Sequence, residues 1–355
     1  MRPGLSPLFC ALGAVALALA LALTPAAAQA PAPQRLHIVG GLAGVNQYTR
    51  HEEPFWSSTL ARVSAGSATA EIVPFDRAGI RGQDTLRLIE LGVVPFGTVL
   101  VTLSAAQDPI LSAPDLAGMN PDIATLRRSV AAFRPYLDKT LREQHGIELL
   151  AVYTYPAQVL FCNKAFSGLA DLAKRRVRVS NAAMADLIEA LGALPVNTGF
   201  AEILTNMRNG NLDCAVTGTM SGNTIGLHEL TTHVHAMALG WGISIFGANA
   251  AAWAALSPEL RTLLRRELAK LEQEIWAESG RETEEGIACN IGAPACSSGK
   301  KGHMTEVKAT PADEQRRREL LAMVLARWVQ RCGQGCAATW NQTLAPVAGV
   351  VAPLR

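Results

Sequence analysis

Neither sign of charge is in excess: 32 Lys and Arg stand against 30 Asp and Glu, so the chain lacks the basic surplus that holds a phosphate backbone or an anionic membrane surface. Nucleic acid is not an expected partner. Charge is also scarce, at 17% of residues, and aromatics make up only 5%. With 49% hydrophobic residues and a mean hydropathy of +0.17, the 355-residue chain has apolar material for two cores and is not a disordered polypeptide. Neither Gly-x-Ser-x-Gly nor His-Glu-x-x-His occurs, which removes the usual signatures of an exported hydrolase. His228, His233 and His235 have no carboxylate or cysteine at ligand spacing, so neither a metal site nor a cofactor is expected, and no catalysis.

What is present begins at the N-terminus. Arg2 precedes an apolar run, "LFCALGAVALALALALT", that ends in "PAAAQA". Ala28 and Ala30 fit the small-x-small pattern of a signal peptidase site, so residues 1–30 are expected to be a signal peptide cleaved after Ala30, giving an exported, periplasmic protein. A membrane anchor is the competing reading, but no stop-transfer charges follow the run. Cys10 leaves with the signal and six cysteines remain. In an oxidising compartment an even set invites disulfides. Close spacing makes Cys289 with Cys296 and Cys332 with Cys336 the first expected bridges, which leaves Cys162 with Cys214. Zinc held by the last four is the rival idea, without paired Cys-x-x-Cys knuckles to support it.

Periodicity then alternates. "LHIVGGL" reads as a strand, "EEPFWSSTLARVSAGS" as a helix, "ATAEIVPF" as a strand, "DTLRLIELG" as a helix and "VVPFGTVLVTLS" as a continuous strand. A helix over 120–146 and two apolar runs split by Pro156 follow. The order then repeats: "RRVRVS", a helix from Asn181 to Gly192, "ALPVNT", a helix closed by Gly210, and "LDCAVTG". Such alternation implies α/β architecture with mostly parallel sheets flanked by helices and ligands beyond the carboxyl ends of the strands. The expected division is lobe I from 31–155 plus 245–280, lobe II from 156–244, and a cysteine-containing extension, 281–355, packing on both. Crossing strands join the lobes, with hinges near Tyr155 to Gln158 and Leu239 to Ser244. A helix from Ser257 to about residue 286 would span roughly 45 Å and brace them.

Arg178 is the most informative residue. It lies between Val177 and Val179 on an interior strand, two residues before a helix N-terminus, where a guanidinium needs either an internal carboxylate or an anionic ligand. Arg175 and Arg176 lie beside Lys174 and read as solvated. In the first lobe, Gln47, Tyr48 and Trp56 stand where the first helix opens and are candidate cleft groups, with surface capping as the alternative for each.

The stretch "CNKAFSGLADLAKRRVRVSNAAMADLIEALGALPVNTGFAEILTNMRNGNLDCAVTG" resembles the core of the DctP-type solute-binding proteins of TRAP transporters, and weaker resemblance extends over about 36–286. It implies a two-lobed periplasmic binding protein fold closing on a small organic acid whose carboxylate is held at Arg178. It further implies a second carboxylate contact at Lys164, polar contacts at Asn181 and Thr217, and an aromatic wall at Phe200; Gln158 and Trp241, at the expected crossings, are further candidate ligand contacts, with a core side chain as the alternative for Trp241. At Thr217 the sequence reads "VTGTM" where many relatives have "ENP". Relatives generally lack the cysteine-bearing tail. The implied partners are the acid and a TRAP-type membrane permease, with the protein acting as a monomer. An exported sensor subunit built on the same fold is the alternative.

Overall fold

The computed structural model describes Pro33–Leu354, so the expected signal, Cys10 and the cleavage point lie outside the described residues. Eleven strands form two sheets. In the first, β1 (Gln34–Gly40), β2 (Ala68–Pro74) and β3 (Phe96–Leu100) run parallel, and β10 (Ile243–Asn249) and β4 (Ile147–Thr154) complete the order β2-β1-β3-β10-β4. The second has the order β11-β9-β5-β8-β6-β7. It contains β5 (Gln158–Cys162), β6 (Arg176–Val179), β7 (Leu194–Asn197), β8 (Cys214–Gly218), β9 (His233–Gly240) and β11 (Thr305–Val307). Both sheets are mixed. Their antiparallel pairs involve β10 in the first sheet and β5 in the second, because β4 runs into β5 and β9 into β10 as the chain passes between sheets.

β3 is shorter than the apolar run that encodes it. The strand stops at Leu100, which pairs with Ser244, and its partner begins at Ile243, so there is no ladder to continue. The chain turns instead into a short helix, Val101–Ser104, and a buried 3₁₀ segment, Pro109–Asp115. The helix α1 (Ile123–His145) then starts where the Asp122 carboxylate accepts from the Thr125 N–H at 2.7 Å and stops at Gly146, whose φ of +60° supplies the left-handed cap. The first helical region of the molecule, Gln47–Glu52 and Phe55–Thr59, is wound with π-type turns.

In the second sheet α2 (Ala182–Ala190) follows β6 and α3 (Thr219–Ile225) follows β8. The 33-residue α4 (Pro258–Asn290) opens at Ser257, whose hydroxyl accepts from the Leu260 N–H, and runs along both sheets. Its middle is fixed to β4: Trp276 Nε1 donates to the Val152 carbonyl at 2.8 Å and Ser279 Oγ to that of Thr154 at 2.6 Å. Its second half lies on α3. A Cβ at Gly286 would come within 2.4 Å of the Met220 nitrogen, so Gly286 is a contact residue inside the helix and not its end, and the helix continues four residues past the expected stop.

The tail belongs to the second sheet. β11 pairs parallel with β9, and α5 (Pro311–Cys332) opens on a Thr310–Asp313 capping box. From α5, Arg327 and Arg331 reach Asp186 of α2, and Trp328 Nε1 donates to the Pro109 carbonyl at 2.9 Å. A further helix, α6 (Gln334–Thr343), places Trp340 in the core beside Trp328. The six cysteines form three disulfides. Cys162–Cys214 joins directly paired residues of β5 and β8, Cys289–Cys296 closes the loop after α4, and Cys332–Cys336 links α5 to α6.

Candidate functional site

β6, β7 and β8 are parallel and end together, and Arg178 stands one residue before the end of β6, 4% exposed. Its Nε donates to the Thr198 carbonyl at 2.9 Å and its Nη1 to the Val216 carbonyl at 2.7 Å. Two carbonyls fix the plane of the guanidinium without neutralising it. Among the described residues no carboxylate pairs with it, and Nη2 has no protein acceptor. Burial alone pushes the Arg178 pKa down to about 10.

Arg176, two residues earlier, shows what a satisfied arginine on the same strand looks like. Its Nε and Nη2 donate to Asp213 at 3.0 and 2.9 Å, and this holds the Asp213 carboxyl down at about 2. Expected to be solvated, Arg176 is therefore ion-paired. Arg175 donates to the Lys164 and Ala165 carbonyls and lies over the Phe166 ring.

Several expected site residues cluster at the Arg178 end of the sheet. Thr217, 2% exposed, shares the face of Arg178, because Arg178 pairs with Ala215 and side chains alternate along β8. Asn181 caps α2, its Oδ1 accepting from the Met184 N–H at 2.9 Å. Phe200, half-buried, approaches the loop after β1: a Cβ at Gly44 would meet its ring edge at 3.7 Å. The carboxyl ends of the two sheets thus face each other there. Gln158 opens β5 at this same end, opposite Gly218, with its amide donating to the Trp241 carbonyl at 3.0 Å.

Others are not brought to the cluster. Lys164 is exposed two residues beyond β5, at the end where Cys162 faces Cys214 and β8 begins, hence at the opposite edge of the sheet from the Arg178 guanidinium's partners. β5 runs antiparallel to β8, and this reverses the end at which its last residues emerge. Trp241 is 2% exposed and donates its indole N–H to the Asn120 carbonyl at 2.9 Å, so it fills the core at the crossing. Tyr48 and Trp56 are 3% and 1% exposed and pack under the first sheet. Gln47 is buried too, donating to Glu52 at 2.6 Å.

Three buried carboxyls were not anticipated. Glu52 accepts from the Gly41 N–H at 3.0 Å and from Thr98 Oγ1 at 2.8 Å, anchoring the loop after β1. Asp115 Oδ2 accepts from the N–H groups of Trp241 and Gly242 at 3.0 and 2.7 Å, and burial pushes its pKa up to about 6. Glu282 of α4 takes a hydrogen bond from Asn46, and burial lifts it to about 7. A lone Asp inside the apolar run "PILSAPDLAG" is the one signal that was there to find Asp115.

The model of the bacterial extracellular solute-binding proteins of family 7, DctP, matches residues 49–330. The chain belongs to that family. Its fold is the two-lobed α/β fold of TRAP solute receptors. A Bordetella pertussis extracytoplasmic solute receptor binding pyroglutamic acid superposes with a TM-score of 0.76 at 19% identity, over 87% of this chain and 99% of that one. A Desulfovibrio salexigens TRAP periplasmic solute-binding protein with bound orotic acid gives 0.76 at 15% identity, over 88% and 99%. One from Shewanella oneidensis with bound succinate gives 0.71 at 17%, over 87% and 98%. No curated protein sequence matches. Members of the DctP family are solute-binding proteins that work outside the cytoplasm, so the cluster around Arg178 is the candidate solute site.

Proposed function

We propose that this DctP-family protein captures a small organic acid in the periplasm and delivers it to a TRAP-type membrane permease, without chemical change to the acid. One observation carries this reading: Arg178 is a buried guanidinium, oriented by two carbonyls and lacking a carboxylate partner. An unpaired buried charge is costly, and a bound carboxylate offsets that cost with charge-assisted, bidentate hydrogen bonds. Pyroglutamate, orotate and succinate, found in the similar structures, are all acids of this kind. Asn181, Thr217, Phe200 and Gln158 supply polar and apolar contacts around the rest of the ligand. The lobes close on it about the crossings at Tyr155–Gln158 and Leu239–Ser244. The protein acts as a monomer, released by cleavage after Ala30.

Mass spectrometry of small molecules released by denaturing natively purified protein tests the reading. A carboxylic acid at near-stoichiometric amount is the expected result; a released compound with no carboxylate would overturn it.

A further inference from the structure

Among the described residues, the cluster at the ends of β6 and β8 holds one buried cation, Arg178. Around Arg178 stand Thr198, Thr217, Asn181 and Phe200, none of them charged, and the guanidinium's own hydrogen bonds go to backbone carbonyls. The other basic residues of this lobe's strands are occupied elsewhere. Arg176 is paired with Asp213, and Lys164 is exposed at the far end of the sheet.

The facing loop of the first lobe adds no positive charge. Its amides are held from behind by acids: the Gly41 N–H by Glu52 at 3.0 Å, and the Ala43 N–H by Asp76 at 3.1 Å. The nearby arginines are at the surface, Arg77 exposed and Arg50 at 3.6 Å from Glu278. Phe200 reaches to within contact distance of a Cβ at Gly44, so an aromatic edge and a glycine loop meet across the two lobes at the Arg178 end of the second sheet.

We propose that the cleft takes a singly charged organic acid, with one carboxylate on Arg178 and an uncharged remainder, and rejects dicarboxylates. This rests on the carboxylate reading of the site given above. The first carboxylate meets a matched guanidinium. A second, held toward Phe200 and the loop at Gly41 to Gly44, meets no buried cation among the described residues and approaches the carboxylates of Glu52 and Asp76. Specificity then comes from an unfavourable contact built against the wrong ligand as much as from the favourable one.

The test has two arms on the full mature protein. In the first, the compound released from natively purified protein is analysed for its number of carboxylates. One carboxylate supports the proposal. Two or more overturn it while leaving the organic-acid reading standing, and none overturns both. In the second, stripped protein is titrated calorimetrically at pH 7.5 with matched pairs of one skeleton: succinate against succinamate, and glutarate against glutaramate. The half-amide is expected to bind at least about 100-fold more tightly, the discrimination that an uncompensated buried charge imposes. A dicarboxylate binding as tightly as its half-amide would overturn the proposal, and Arg77→Ala would then show whether the exposed arginine supplies the missing charge.

Discussion

At the scale of single residues, β6 carries a comparison within itself. Arg176 and Arg178 lie on one face of one strand, and only the first has a carboxylate. Removing Arg178 therefore removes a desolvated charge and not an ion pair. Arg178→Ala should leave the melting temperature unchanged or higher, while ligand affinity falls by about 3 kcal/mol or more, because water does not replace the lost bonds in a closed cleft. Arg178→Lys should also bind poorly, since a point charge lacks the two-pronged geometry. Calorimetry with the identified ligand decides this, and near-normal affinity of the alanine variant would remove Arg178 from the site. Arg178 was legible in the sequence because a charge between two valines on an interior strand is anomalous by itself. Asp115 was not, because the two amides that explain it belong to residues more than a hundred positions later, at a crossing defined only in the folded chain. Lys164 misled for a related reason: its position along the chain is near the site, but the direction of β5 carries it away.

At the scale of elements, the alternation of strands and helices was readable from apolar periodicity, and errors fell where tertiary partners decide. β3 ends when β10 runs out, and α4 runs on through Gly286, where the sequence suggested its end. Gly286 lets α4 approach the backbone of α3 at Thr219 and Met220. Gly286→Val should destabilise the protein by about 1 to 3 kcal/mol through overpacking, although valine is a better helix former than glycine. Urea unfolding measures this, and a variant as stable as the wild type would show that the helices separate without cost. The same contact fixes the C-terminal end of α4 to the second sheet's side while Trp276 and Ser279, nearer its middle, fix it to the first sheet.

At the scale of the whole molecule, buried carboxyls near both crossings couple stability to pH. Glu282 faces Asn46, with Glu278 and Glu285 raising and Arg50 lowering its proton affinity, and burial is the largest influence. Its folded pKa, about 7, lies above the ordinary 4.5, so the native state keeps a proton that the unfolded chain has released. Stability from this source is greatest below the ordinary value, is lost as pH rises through about 7, and is constant above it. Asp115 acts in the same sense up to about 6. Melting temperature should therefore decline between about pH 5 and 7 and level off above, and Glu282→Gln, which cannot ionise, should flatten that decline by about 1 to 3 kcal/mol. Identical slopes for the two proteins would exclude Glu282 as the titrating group.

The position of β11 and α5 has a further consequence for how such a chain is made. The edge strand paired with β9 and the helix that covers α2 come from residues 305–332, translated after every other strand of that sheet. Until they emerge, β9 has a bare edge, and the face of α2 that α5 covers is open. The second lobe thus cannot complete its core from the growing chain alone, because its contacts join residues separated by more than a hundred positions. A lobe whose sheet edge and helix cover arrive only with this late segment should fold as a unit once residues 305–332 have been made, and not strand by strand as the chain grows.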